Sequence, residues 1–267
     1  MTHPVIDVHC HVFPDAIAHA AVSSLKGISG GSAHYDGTVG GLLASMERAG
    51  VDRSVVAPVA TKPSQVAGIN DWIASLLDDR IVRFGAMHPA LDDPAAEIAR
   101  IATLGLRGIK LHPQHQDFMP AEPRMAAIYR AAQEYGLVVL FHAGSYVVDY
   151  PHEARPEDFV PVLEAYPDLV CILAHMGGFR RWDDVREHVC GRDVYLDTAY
   201  VPRHLPDDEF LDLARAHGTD RVLFGTDGPW ADAGAEIEYL SGMGFTSPEL
   251  EAILGGNAER LLDGDAR

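Results

Sequence analysis

The chain has 267 residues, 47% of them hydrophobic, enough for a large apolar core in one α/β barrel or in two small domains. Lysine and arginine number 21 against 39 aspartates and glutamates, a net charge of −18. A chain this acidic, with no basic run, is repelled by phosphate backbones and anionic membranes, which argues against nucleic acid or a membrane as partner.

The three cysteines, Cys10, Cys171 and Cys190, form no CxxC pair. Their odd number and spacing disfavour both a disulfide scaffold and a thiolate zinc site, and fit a reducing compartment. No basic leader precedes an apolar run at the N-terminus, and no stretch reaches the ~20 apolar residues that span a bilayer. The expectation is a soluble cytoplasmic protein.

Eight short apolar or β-branched runs follow one another along the chain: PVIDVH, RSVVAPV, IVRFGAM, LRGIKLH, LVVLFHA, LVCILAH, DVYLDTA and RVLFGTD. Most are almost continuously apolar, as strands buried on both faces of a parallel sheet are. Helix-like stretches lie between them. TVGGLLASMERAG, DPAAEIARIATLG and PRMAAIYRAAQEYG each end on a glycine suited to a helix C-terminus, Gly50, Gly105 and Gly136. PEDFVPVLEAYP and DDEFLDLARAHG precede the sixth and eighth runs, and NAERLL closes the series with Asn257 as its expected N-cap.

Strand starts fall about thirty residues apart, the size of one βαβ unit. Eight such units match a (β/α)8 barrel, with a doubly wound open sheet as the competing topology. No composition shift marks a linker, so residues 1–267 read as one domain. Residues 13–38, which include GISGGSAHYDG, are long and glycine-rich, and read as a loop over a binding site.

In such a barrel the chemistry gathers at the C-terminal strand ends. Here those ends carry His9 and His11, Lys110 and His112, His142, His175, Asp197 and Asp227. Strand alternation puts Asp7, His9 and His11 on one face and Cys10 on the other, and pairs Lys110 with His112. A lone histidine at a strand end is usually a hydrogen-bonded structural residue. Four strand ends that together supply several imidazoles and an acid need something to satisfy them, and a metal ion does so. Imidazole with carboxylate suits zinc, manganese or iron in an open catalytic site. Other histidines, including His3, His19, His188 and His217, read as peripheral and solvated.

DVHCH, FHA, AHMGG and FGTDGPW, in that order, resemble the amidohydrolase superfamily, and most of all its amidohydrolase-2 branch, the aminocarboxymuconate-semialdehyde decarboxylase-like proteins. GGNAERLL resembles the closing helix of that branch. The resemblance implies a TIM barrel with one or two divalent ions, Zn2+ first and Mn2+ as an alternative. It implies His9, His11, His142 and Asp227 as metal ligands. His175 would contact the attacking water or a second metal, and Asp227 would also shuttle protons, which makes these two the catalytic pair. In binuclear relatives a lysine in the place of Lys110 is carboxylated and bridges two metals. The other reading of Lys110 is a plain cation that neutralises carboxylates or grips an anionic substrate. Asp7 could receive an imidazole N–H or cap backbone amides.

The function expected is hydrolysis of an amide, lactone or related carbonyl in a small carboxylate-bearing substrate. Decarboxylation of an aromatic or unsaturated acid at the same site is the alternative. A non-catalytic barrel that binds a metabolite is the reading from another class. Arg180 and Arg181, Tyr146, Tyr150 and His152, and Trp230 are the expected substrate contacts, because arginine suits a carboxylate and aromatics suit a planar body. Beyond the small-molecule substrate, a homodimer is left open.

Overall fold

The computed structural model describes residues 3–29, 32–145 and 153–264. Eight parallel strands lie side by side in chain order: β1 (Ile6–Cys10), β2 (Arg53–Val56), β3 (Ile81–Ala86), β4 (Gly108–Leu111), β5 (Val138–Phe141), β6 (Cys171–Leu173), β7 (Tyr195–Asp197) and β8 (Val222–Leu223). The first and last also meet. The Val8 amide donates to the Phe224 carbonyl at 2.9 Å, the Asp227 amide to the His9 carbonyl at 2.8 Å, and Cys10 bridges Gly228. With helices between the strands, this is the TIM barrel expected from the eight apolar runs.

Each strand is buried on both faces, and its two alternating sets of side chains enter two different cores. Ile6, Val8, Val55, Phe84, Leu140, Ile172 and Leu223 form the inner cluster, joined by Ala258, Leu261 and Leu262 of the helix Asn257–Asp263. Ile109, Leu111, Val139, Phe141 and Leu173 face the other way, toward the helices. Burying each such side chain contributes ~1.5–3 kcal/mol, which explains why the strands read as unbroken apolar runs.

The helix ends follow their sequence signals. In the helix Val39–Ala49, labelled α2, the Thr38 hydroxyl accepts from the Gly41 amide, and Gly50 ends the helix in the left-handed region at φ 71°. Asp93 caps the helix Pro94–Thr103 by accepting from the Ala96 amide at 3.0 Å.

Two expectations fail here. Residues 13–38 are not a plain loop, because Asp15–Ser29 is an α-helix, labelled α1. DAIAHAAVSSL is rich in alanine and places apolar residues at 17, 21 and 25, which outweighs the glycines that follow. Asn257 is not an N-cap. It lies inside a continuous helical segment entered through the π-helical residues Ala252–Gly256, and its side chain donates to the carbonyls of Thr219 and Val222. Among the described residues no helix is long and apolar enough to cross a membrane.

Candidate metal centre at the barrel mouth

The centre begins with an irregularity in β1. Asp7 pairs with Ser54 and Cys10 with Val56, so β1 uses one residue more than β2 between the same two rungs. Such a β-bulge breaks the alternation. Val8 enters the inner core and His9, the next residue, lines the cavity at the barrel mouth. Asp7 therefore faces away from His9 and shares a small outer pocket with Cys10, Tyr35 and Ser54. This corrects the expectation that Asp7, His9 and His11 share a face. Asp7 instead ties β1 to β8: it accepts from the Thr226 hydroxyl at 2.6 Å and from the amides of Thr226 and His9 at 3.0 Å each. Its burial still raises its pKa to about 6.

His9 and His11 are both held by Nδ1. His9 Nδ1 lies 2.9 Å from the Asp197 carboxylate, and His11 Nδ1 lies 2.9 Å from the Ala57 carbonyl. Those oxygens can only accept, so both Nδ1 atoms are donors, and in the neutral rings Nε2 keeps its lone pair. Both Nε2 atoms turn to Asp227 Oδ1, at 3.4 Å from His9 and 3.0 Å from His11. Three ligand atoms, one from each residue, lie within 4.8 Å of one another. Two imidazole lone pairs and a carboxylate oxygen repel unless a cation lies among them. Tautomer, orientation and donor type all fit a divalent ion.

Lys110 is the cation at hand. It is 1% exposed, and its Nζ lies 3.0 Å from His9 Nε2. Burial lowers its pKa to about 8, against the pull of Asp197 and Asp227. Burial also opposes ionisation of Asp227, but positive charge at the His9 and His11 positions outweighs it and holds that carboxyl at about 2; with both rings neutral, that charge is what a bound cation would supply. His9 is pushed well down, by burial first and Lys110 second, so it stays neutral. Asp227 and His175 both adopt left-handed backbone, φ 63° and 61°, a strained geometry that clusters at functional sites.

His142 is near the centre but outside the three-residue group. His175 Nδ1 donates to the Ala199 carbonyl at 2.7 Å, and His175 Nε2 lies 3.0 Å from His142 Nδ1. In the neutral rings this makes Nε2 the acceptor nitrogen of His142. His112 stacks on His142 at 4.1 Å between ring centres, and it also meets His115, tilted, at 4.1 Å. Burial, reinforced by the neighbouring imidazoles, holds His112 and His142 far below the usual histidine range.

Several of these residues were not assigned a role from sequence. Asp197 was legible as a strand-end acid, but its service to His9 required knowing what faces it across the barrel. His112 and His115 stand three apart in LHPQH, the one local signal for their stacking. His217, read as solvated, is 2% exposed, and its Nε2 donates to the Val194 carbonyl.

The centre opens into a cavity of about 610 Å³. Trp230 lines it, and its amide donates to the Asp227 carbonyl. Arg180 and Arg181 do not. Arg180 lies over the Phe179 ring at 5.1 Å, and Arg181 is paired with Glu153 at 2.5 and 3.1 Å. Tyr146, Tyr150 and His152 lie outside the described residues. Among the described residues Lys110 is the one lysine or arginine on the wall. Gly144, at φ 83°, brings the β5 loop against the Phe179 backbone, where a Cβ would collide, and so positions both loops.

The fold is a TIM barrel whose mouth carries a group that could hold a metal ion. The chain belongs to the amidohydrolase family, in its amidohydrolase-2 branch, whose model matches residues 6–264. Members of this family are metal-dependent enzymes, and His9, His11 and Asp227 are where this chain could hold an ion. No curated protein sequence matches the chain. Solved structures share its fold. An uncharacterised TIM-barrel protein of Bordetella bronchiseptica matches 99% of this chain and 100% of its own at 20% identity and a TM-score of 0.79. The 5-carboxyvanillate decarboxylase of Sphingomonas paucimobilis matches 98% and 99% at 16% identity and a TM-score of 0.74. A candidate 2-pyrone-4,6-dicarboxylic acid hydrolase of Pseudomonas putida matches 98% of each chain at 18% identity and a TM-score of 0.70.

Proposed function

We propose that the protein is a metal-dependent hydrolase that opens a carbonyl bond, of the amide or lactone kind, in a small organic acid. One observation carries the reading: His9, His11 and Asp227 turn three acceptor atoms to one point while their donor nitrogens are tied elsewhere. Zn2+ suits that donor set, and Mn2+ is the alternative. A divalent cation there would supply Lewis acidity, polarising a carbonyl and making water ionise near neutral pH.

The chain's own groups do the rest. Asp227 is anionic and borders the cavity, so it takes the proton of the attacking water and returns it to the leaving group. Asp197 fixes the ring of His9, and Ala57 fixes that of His11. His142 adds its Nε2 as a further ligand, and His175, whose Nδ1 is tied to the Ala199 carbonyl, orients that ring through its own Nε2. Lys110 grips the substrate carboxylate, and Trp230 packs against its body. A second ion would instead require Lys110 as a carboxylated bridge. Decarboxylation of an aromatic or unsaturated acid is the second reading, favoured by a buried cation beside the centre. Hydrolysis keeps first place because none of the described arginines lines the cavity to hold a departing carboxylate.

The test is metal analysis of purified protein, followed by lactones, amides and aromatic acids offered with Zn2+ or Mn2+. Stoichiometric metal and turnover that vanish together in Asp227→Asn are expected. Protein that takes up no metal overturns the proposal. Carbon dioxide released from an aromatic acid selects the second reading.

A further inference from the structure

The cavity is much larger than the centre needs. At 610 Å³ it falls among cavities that take drug-sized ligands, about 300–1,000 Å³, well above what a single-ring acid fills. Its excess lies between two helices. From α1, Ile17, Ala21 and Leu25 line it, spaced four apart on one helix face. From the helix Val66–Ala74, labelled α3, Gly68, Ile69 and Trp72 line the facing wall. Neither helix presents a charged side chain to this space among the described residues.

Ile17 and Leu25 belong to none of the apolar cores, and Ile17 is 52% exposed. Among the described residues, packing in a core does not explain that apolar face. It is continuous with the cavity that His9, His11, Lys110 and Asp227 line at its other end. We infer that α1 and α3 form an arm pocket, and that the substrate carries an extended apolar arm, such as an alkyl chain, attached to the carboxylate or carbonyl head. This deepens the proposed function and rests on it for the position of the head.

Gly68 supplies the test. A Cβ built there meets nothing within 4 Å, and replacing a glycine inside a helix raises helix stability. Gly68→Phe fills the arm pocket and leaves the centre intact. Ile17→Asp, on the opposite wall and already exposed, makes that wall polar. The probes are straight-chain carboxylates from butanoate to decanoate, with binding measured by calorimetry on protein incubated with zinc. Each methylene that enters the pocket tightens binding about fourfold. The wild type is expected to follow that slope up to the longer acids. Gly68→Phe should bind butanoate like wild type and lose the gain at shorter chains, and Ile17→Asp should flatten the slope. A series flat in the wild type, or equally steep in both variants, overturns the arm pocket. A flat series joined to a change in oligomeric state assigns the two helices to a second copy of the chain instead. Metal content of the same samples reads the centre separately. A flat series with zinc bound removes only the arm, and a steep series without zinc keeps the arm and removes the centre.

Discussion

The two ends of the same strands have opposite chemistry. At one end Ile6, Val8, Leu140, Ile172 and Leu223 meet Leu261 and Leu262 in a dry plug. At the other, His9, Lys110, His142 and Asp197 are buried together beside Asp227, which stays partly open to the cavity. The change takes one or two residues: Val8 to His9 on β1, and Leu140 to His142 on β5. Stability and chemistry thus occupy adjacent layers of one barrel, and substitutions in each should read out differently.

The largest effect should come from the mouth. His142→Ala and His11→Ala are expected to cut kcat/KM at least about a thousandfold, ~4 kcal/mol of transition-state stabilisation, while the melting temperature stays within a few degrees. Unfolding of either variant would blur the separation of the two layers. In the plug the outcome reverses. Phe84 is fully buried, and Phe84→Ala should cost ~3–5 kcal/mol in urea titration while the folded fraction keeps its turnover.

Asp197→Asn sits between the two. It keeps the shape but loses the anion that orients His9, so zinc affinity should fall about ten- to a hundredfold, read by competition with a chromogenic chelator. Unchanged affinity would limit Asp197 to holding the amides of His175 and Ala199. The smallest effect lies far from the mouth. Thr246 and Glu249 form a capping box, and Thr246→Ala should cost about 1 kcal/mol with activity unchanged. Arg215 and the Thr246 amide hold Glu249 at about 2, below its ordinary 4.5. Its folded-state pKa is depressed, so its contribution is full above about pH 4.5 and fades as pH falls toward 2. Wild type and Glu249→Gln should therefore differ in stability at neutral pH and converge in acid.

The sequence makes the eight strands legible because each must be apolar on both faces, and the centre legible because its imidazoles and carboxylate sit at strand ends. His9, His11 and Asp227 do converge as the motifs imply. What escapes is what depends on a partner distant in the chain or on a break in periodicity. The extra residue in β1 turns Asp7 outward, and nothing in VIDVHCH marks it. Asp197 serves His9 across 188 residues. Arg180 follows β6 as a substrate contact would, yet its guanidinium turns onto Phe179. The helix α1 was hidden by the glycines that follow it, and with it one wall of the cavity.

The closure between β1 and β8 carries one more implication. Asp227 follows His11 by 216 residues, yet the two touch across the line where the barrel shuts. During synthesis the early histidines must wait for nearly the whole chain before their acidic counterpart emerges. An ion held from both sides of that line would act as a clasp, binding the shut cylinder and not the gaping one, so loading and zipping up would be a single equilibrium.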